Sequence, residues 1–374
     1  MNIALRTGAV ASAAALTLLL AACTPSNEDT KTTSSSAPAM TSEAPVVPAL
    51  SGDLAGAGAS SQESAMEAWT AGIQATNPDL NITYDPVGSG GGRTQFLDGG
   101  VAWAGSDSAL SEEEYVLAVE RCGADGAINL PVYISPIAVI FNIDGIDSIS
   151  LDAATIAGIF DGKITKWNDA AIAGQNGGVA LPDLAITIVH RGDESGTTKN
   201  FTDYLNKASN GAWPYDASGE WANALGESGQ GTSGLVQIVT DTQGAIGYAD
   251  FSKAGALGKV SIKVGEAFVA PSAEGAATAL ATATPAGKNG DNDLAFKIDR
   301  TSTEAGAYPL LLLSYVIVCQ KYDDAAVAAN VTGFLSYVAS ADGQAASAAA
   351  AGSAPLPADL SAKVEAILAQ IAAA

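Results

Sequence analysis

Positive charge is scarce in this 374-residue chain: 17 Lys and Arg stand against 40 Asp and Glu, for a formal net charge of −23. Phosphate backbones of nucleic acids are bound by clustered Lys and Arg. No basic run occurs here, so no nucleic-acid partner is expected. The one histidine, His190, and the three cysteines, Cys23, Cys122 and Cys319, show no metal-ligand spacing, so no metal centre is expected. Aromatic residues make up only 6% of the chain. The apolar stretch Ala9 to Leu20 is too short to span a bilayer comfortably. Gly88-Ser89-Gly90-Gly91-Gly92 lacks the Gly-Lys-Ser/Thr ending of a P-loop, and Gly192-Asp193-Glu194-Ser195-Gly196 forms no Gly-x-Ser-x-Gly elbow. Neither feature supports a nucleotide-binding or hydrolytic site.

What is present is a long, glycine-rich, 48% hydrophobic chain with 40 Gly, long enough for two domains with full cores. Arg6 and the apolar stretch behind it read as a targeting segment, residues 1–22. Leu20-Ala21-Ala22-Cys23 resembles a bacterial lipobox, in which Cys23 becomes the first mature residue and carries the lipid. An ordinary secretion signal with an incidental cysteine is the alternative. Residues 23–49 hold Ser, Thr, Pro and Ala with no aromatic, and cannot bury enough apolar surface to fold; a flexible stalk is expected. Removing Cys23 leaves Cys122 and Cys319, an even pair in an exported chain, either one disulfide or two buried thiols.

From Leu50 onward strands and helices alternate, as in an α/β protein with a parallel or mixed sheet. Ser60-Ser61-Gln62-Glu63 and Ser111-Glu112-Glu113-Glu114 both have the capping-box pattern. Met66, Trp69 and Ile73 share one helical face after the first of these. The apolar run Ile128 to Asn142 contains Pro131 and Pro136, which a single central strand tolerates badly, so it is expected to change sheets partway. Leu310 to Val318 reads as a strand, and the segment from Asp323 as Ala-rich helix.

The most informative stretch is His190-Arg191-Gly192-Asp193-Glu194-Ser195-Gly196-Thr197. The alternating run Ala185 to Val189 is a strand before it, and Phe201, Tyr204 and Leu205 are spaced on a helix after it. Two hydroxyls and unpaired backbone N–H groups are thereby set at a positive helix end beside a guanidinium, which is an oxyanion site. Ser60-Ser61 and Ser89 open two further helices in the same glycine/hydroxyl style. Each alone is better read as an N-cap than as a binding site; three together, with glycine beside them, point to a ligand. Arg191 is either the charge partner of an anion or a salt bridge to Asp193 or Glu194. Asp107, at the end of the strand Trp103 to Ser106, is the odd member. A carboxylate near an anion is costly unless the ligand brings a proton to it, which would select protonated oxyanions; from the residues alone a strand-end turn residue is the better reading of Asp107.

These motifs, with Leu54-Ala55-Gly56-Ala57-Gly58-Ala59-Ser60, Val87 to Gly92, Ala104-Gly105-Ser106-Asp107, Ile159 to Asp169, and Gly244-Ala245-Ile246-Gly247-Tyr248, resemble the PstS family, the phosphate-binding lipoproteins of the bacterial phosphate ABC transporter, in its actinobacterial type. The resemblance implies a two-lobed α/β periplasmic-binding-protein fold of type II. Residues 50–134 and 308–374 would form one lobe and 135–307 the other, with hinge crossings near Val132 to Pro136 and near Tyr308. Both Cys122 and Cys319 would then lie in the first lobe, consistent with a disulfide there. It implies phosphate contacts from Ser60, the Ser61 N–H, Ser89, Asp107, Arg191, Ser195, Gly196 and Thr197, with Asp193 orienting Arg191. Family members often carry an aromatic at the position of Ser61, which a backbone contact survives. Also implied are inorganic phosphate as ligand with arsenate as competitor, a permease and its ATPase as partners, and a lipid anchor on the outer face of the cell membrane. No cofactor and no catalysis are implied.

Three other readings have distinct consequences. A receptor for another tetrahedral oxyanion would bind a sulfate-like anion. An exported hydrolase would need His190, only five residues from Ser195, as its base. A surface adhesin would use the hydroxyl turns as caps only.

Overall fold

A computed structural model of the chain describes residues 49–373. The targeting segment, Cys23 and the stalk up to residue 48 lie outside the described residues. The alternation read from the sequence is realised as β1 (Gly52–Gly58), a single 3-10 turn at Ser60–Gln62, α1 (Glu63–Gln74), β2 (Leu80–Asp85), α2 (Ser89–Leu97), β3 (Trp103–Ser106) and α3 (Glu112–Cys122). Met66, Trp69 and Ile73 are the buried face of α1. The two capping-box patterns part company. Ser111 and Glu114 form the reciprocal pair at the start of α3. Ser60 does not cap α1, whose first turn has no side-chain cap, because its hydroxyl is bonded to Thr232 far along the chain.

The run with two prolines changes sheets partway, as expected, yet does so without a break in the strand. It is one unbroken strand, β4 (Ala127–Phe141), buried along its whole length. The ladder accommodates the prolines. Its register slips so that Tyr315 faces Pro131 and Ser314 faces Tyr133, leaving Val132 as a bulge, a position where a missing N–H is tolerated. Pro136 is the last residue paired with the β13 strand (Leu311–Cys319), and from Ile137 onward β4 pairs with another strand. The strand is continuous; its partner changes.

Beyond it come β5 (Ser148–Leu151), α4 (Ala153–Phe160), the short α5 (Ala170–Ala173), β6 (Thr187–Arg191), α6 (Gly196–Ala208), β7 (Glu227–Gly229), α7 (Gly231–Asp241), β8 (Ala245–Asp250), β9 (Gly258–Val264), β10 (Ala267–Val269) and α8 (Ala273–Leu280). The main sheet runs β2-β1-β3-β13-β4-β8-β6-β7, with β9 joining β4, β5 and β10 off that path. Pairs within each flank, β1 with β2 and β3, and β6 with β7 and β8, are parallel. The antiparallel strands β13 and β4 link the flanks. This curled sheet, with helices between its parallel strands, is the two-lobed α/β fold that the resemblance implied.

A hairpin of β11 (Thr284–Pro285) and β12 (Phe296–Lys297) returns over the start of β4. Buried Asp293 there accepts from the Asn129 N–H at 3.0 Å and its side-chain amide at 2.8 Å. After β13, β14 (Lys321–Tyr322) is followed by α9 (Ala325–Ala339), α10 (Ala341–Ala351), α11 (Ala358–Leu368) and β15 (Ala372–Ala373), which pairs with β14. The Trp69 indole donates to the Gly343 carbonyl at 2.8 Å, tying α1 to α10. Cys122 and Cys319 form a disulfide with Cα atoms 5.2 Å apart, joining the end of α3 to the end of β13. No helix among the described residues is long and apolar enough to cross a membrane.

Candidate functional site

Parallel strands carry their following helices away from their C-terminal ends, so those ends and the helix N-termini define a crevice. Here β1, β3, β6 and β7 end at one place, and the turn before α1 and the N-termini of α2, α6 and α7 meet there. Ser60, Ser61, Ser89 and Asp107 come from one flank of the sheet, and Arg191, Ser195, Gly196 and Thr197 from the other. Each of the seven side chains among them is buried. The structure brings all eight expected residues together.

Asp107 is the hub. Its Oδ1 accepts from Ser61 Oγ at 2.7 Å and Ser314 Oγ at 2.6 Å, and its Oδ2 accepts from Thr197 Oγ1 at 2.8 Å across the cleft. Ser314 in turn accepts from Gln62 Nε2 at 2.6 Å. The direction of these bonds leaves Asp107 a pure acceptor. Its backbone N–H donates to Ser89 Oγ at 3.2 Å, which leaves the Ser89 hydroxyl hydrogen free for another acceptor. Ser195 is the N-cap of α6 and accepts from the Thr198 N–H at 3.2 Å, so its hydroxyl hydrogen is likewise available. Gly196 and Thr197 occupy the first turn of α6, where backbone N–H groups lack intrahelical acceptors. A Cβ at Gly196 would lie 2.6 Å from Ser89 Oγ and 2.7 Å from Asp107 Cβ, so only glycine lets the two flanks approach this closely.

Arg191 is buried rather than a surface salt-bridge partner. Asp193 grips one edge of its guanidinium through Nε, at 2.8 Å to Oδ1, and through Nη2 to Oδ2. Asp193 also accepts from the Gly231 N–H at 3.0 Å, fixing the pair to the start of α7. The salt-bridge reading is realised with Asp193 on one edge of the guanidinium, and on the other Nη1 donates to Thr232 Oγ1 at 3.3 Å. Behind it, the Tyr248 hydroxyl bonds Thr198 Oγ1 at 2.8 Å, and burial pushes its pKa up to about 12.

The flanks are joined by further bonds. The Asn200 amide donates to the Asp107 carbonyl at 2.7 Å and to Gly196 O at 2.9 Å. Buried Arg93 on α2 meets Glu114 at 2.7 Å and reaches Glu194, on the other flank, at 3.2 Å. Burial works against the Arg93 charge, but the Glu194 and Glu114 carboxylates outweigh it and raise its pKa. Lys253 pairs with Glu63 at 2.9 Å in the same sense.

His190 makes no hydrogen bond to Ser195 in this arrangement. Its Nδ1 lies 2.8 Å from the Arg191 carbonyl, its ring stacks on Trp221 at 5.0 Å, and burial lowers its pKa. The Ser195–His190 pair that a serine hydrolase would need is not formed. Sequence reasoning missed Thr232, Ser314, Gln62 and Asn200. Thr232 had a signal, since Gly229-Gln230-Gly231-Thr232 is another glycine/hydroxyl turn opening a helix. Ser314 had a weaker one, as the lone hydroxyl between Leu310 and Leu313 on one side and Tyr315 to Val318 on the other.

Two parallel flanks that meet strand-end to strand-end over a cleft of hydroxyls, helix N-termini and one arginine define a two-lobed solute-binding protein. Residues 32–342 match the family model of the PBP superfamily domain. The chain belongs to the PstS family of phosphate-binding proteins. It is 38% identical to phosphate-binding protein PstS 3 of Mycobacterium leprae over 286 residues, 75% of this chain and 77% of that one. It is 36% identical to phosphate-binding protein PstS 2 of Mycobacterium tuberculosis, over 76% of this chain and 78% of the relative. With phosphate-binding protein PstS of Xylella fastidiosa it shares 33% identity over 81% of this chain and 82% of the relative. In fold it is similar to a high-affinity periplasmic phosphate-binding protein solved with phosphate bound, at TM-score 0.67 and 24% identity, covering 84% of this chain and 93% of that one.

Proposed function

We propose that this protein is the substrate-binding component of a phosphate ABC importer, capturing one inorganic phosphate ion between two lobes by closure. The observation that carries the reading is Asp107: a buried carboxylate, held as an acceptor by three hydroxyls, one of them in the first turn of α6. An anion placed there needs a proton of its own to donate to Asp107. Phosphate near neutral pH has one; sulfate does not. The hydroxyls of Ser60, Ser89 and Ser195, the N–H groups of Ser61, Gly196 and Thr197, and the guanidinium of Arg191 oriented by Asp193 supply the donors, while the Thr197 hydroxyl is spent on Asp107. Hydrogen bonds to charged groups contribute about 1.5–3 kcal/mol each. A handful offsets closure and desolvation and reaches about micromolar affinity, near −8 kcal/mol.

In this reading residues 50–134 and 308–374 form one lobe and 135–307 the other, with the stretch around Asp293 lying as a strap on the first. The crossings are β4 at Pro136 and the chain entering β13. Closure is favoured because the ligand is bonded from both sides only in the closed state. Cys23 carries the lipid that tethers the stalk to the outer face of the cell membrane, and the loaded form delivers phosphate to a permease driven by its ATPase. Arsenate, alike in shape and protonation, competes.

The test is calorimetric titration of anion-free protein with phosphate and then sulfate. One-to-one phosphate binding with no sulfate heat is expected. Heat with sulfate alone would move the assignment to another oxyanion receptor, and silence with both would overturn it.

A further inference from the structure

The second glycine/hydroxyl helix start on the second flank's side of the cleft, at Thr232, has no part in the contacts implied by the family resemblance, yet it touches two residues that do. Thr232 is 1% exposed. Its N–H donates to Ser60 Oγ at 3.0 Å, its Oγ1 lies 2.9 Å from Ser60 Oγ, and Arg191 Nη1 donates to that same Oγ1 at 3.3 Å. Ser60 and Thr232 are 172 residues apart and come from opposite flanks. The contact exists only when those flanks are together.

Hydrogen accounting gives the pair a direction. A guanidinium N–H can only donate, so Thr232 Oγ1 is an acceptor toward Arg191. Ser60 Oγ is an acceptor toward the Thr232 N–H. The two hydroxyl oxygens share one hydrogen between them, whichever donates. That leaves one hydroxyl hydrogen of the pair with no acceptor among these atoms, beside the cleft face of Arg191. A polarised hydroxyl and a guanidinium edge are thereby set side by side.

We propose that Thr232 is a positioning residue for phosphate capture. It locks Ser60 across the closed cleft, holds the edge of Arg191 opposite Asp193, and turns one hydroxyl hydrogen of the Ser60–Thr232 pair toward the anion. The inference rests on the receptor reading above and adds that α7 acts in closure. Removing the hydroxyl loosens the closed state, so the effect falls mainly on the dissociation rate.

The experiment uses the full-length protein and inorganic phosphate, measured by calorimetry and by stopped-flow tryptophan fluorescence. Thr232→Val keeps the branched shape and the backbone N–H but removes the hydroxyl. It is expected to weaken phosphate binding about 10-fold or more, chiefly through faster release. Thr232→Ser restores the hydroxyl and should stay within about 3-fold of wild type. In a Ser60→Ala background, adding Thr232→Val should cost far less than it does in the wild type, because contacting residues couple. Wild-type affinity in Thr232→Val, equal losses in the Val and Ser variants, or full additivity with Ser60→Ala would each overturn the role of Thr232 while leaving phosphate capture standing. No phosphate binding by the wild type would instead overturn the receptor reading and this inference with it.

Discussion

Replacing Asp107 with Asn tests the basis of anion selectivity most directly. An ionised carboxylate accepts at about four lone-pair positions. Three are taken, by Ser61 at 2.7 Å, Ser314 at 2.6 Å and Thr197 at 2.8 Å, and the remaining capacity is what a protonated anion can use. In Asp107→Asn the carbonyl oxygen keeps Ser61 and Ser314, and an amide NH2 stands where Oδ2 was. The Thr197 hydroxyl then loses its acceptor and turns toward the cleft. Phosphate loses a charge-assisted bond of about 1.5–3 kcal/mol, a weakening of about 10- to 100-fold. Sulfate, whose lone pairs met a carboxylate, now meets a donor. Sites that require one hydrogen bond discriminate by about 10⁴-fold or more, and this ratio should fall by at least two orders of magnitude. The assay is paired titration of wild type and variant with phosphate and sulfate at one pH. Phosphate binding retained with sulfate still fully excluded would refute the argument, since discrimination would then come from cleft shape or from donors alone.

Gly196→Ala places a Cβ within 2.6 Å of Ser89 Oγ and 2.7 Å of Asp107 Cβ, so the cleft cannot close on it. Phosphate affinity should drop by about 100-fold or more with little change in thermal midpoint, and an unaltered affinity would contradict the closed geometry. The Cys122–Cys319 bond spans a sequence separation of 197 residues. Chain-entropy arguments put a loop of that length near the upper end of about 2–5 kcal/mol, so the paired Ser variant should unfold at clearly lower denaturant, and an unchanged midpoint would sink that expectation. Asp250 is fully buried against Tyr133 and Ser252, and burial raises its pKa to about 6. A carboxyl raised in the folded state stabilises below its unfolded pKa, and that contribution is lost as pH climbs through about 6. Asp250→Asn should therefore gain stability relative to wild type between about pH 4 and pH 7, by about 3 kcal/mol. A wild-type-minus-variant difference that is flat over this range, measured by urea unfolding, would refute it.

Much of the architecture was legible because it is local. Strand alternation, the apolar face of α1 and the Ser111–Glu114 cap each depend on neighbours within a few residues. The candidate-site residues that the fold brings together were legible for the same reason, since a glycine/hydroxyl turn after a strand carries its chemistry with it, and the motif order resembled one family. The same local signal was ambiguous at Ser60, where the pattern matches that at Ser111 but the hydroxyl is drawn away to Thr232. The Pro-marked run changes sheets partway as read, but its continuity was not legible, because a strand's tolerance for proline depends on its ladder partner, and a bulge opposite Ser314 and Tyr315 is invisible in β4 alone.

The sequence by itself determined most of the elements, the candidate residues for an anion site and the presence of a cysteine pair able to close. Tertiary structure alone decided which hydroxyls serve which oxygens. Asp107 meets Ser314 across 207 residues and Thr197 across 90, and Thr232 meets Ser60 across 172. Local rules reach only a turn or two along the chain, whereas the direction of a buried hydrogen bond is settled by whatever donor or acceptor the fold brings opposite it.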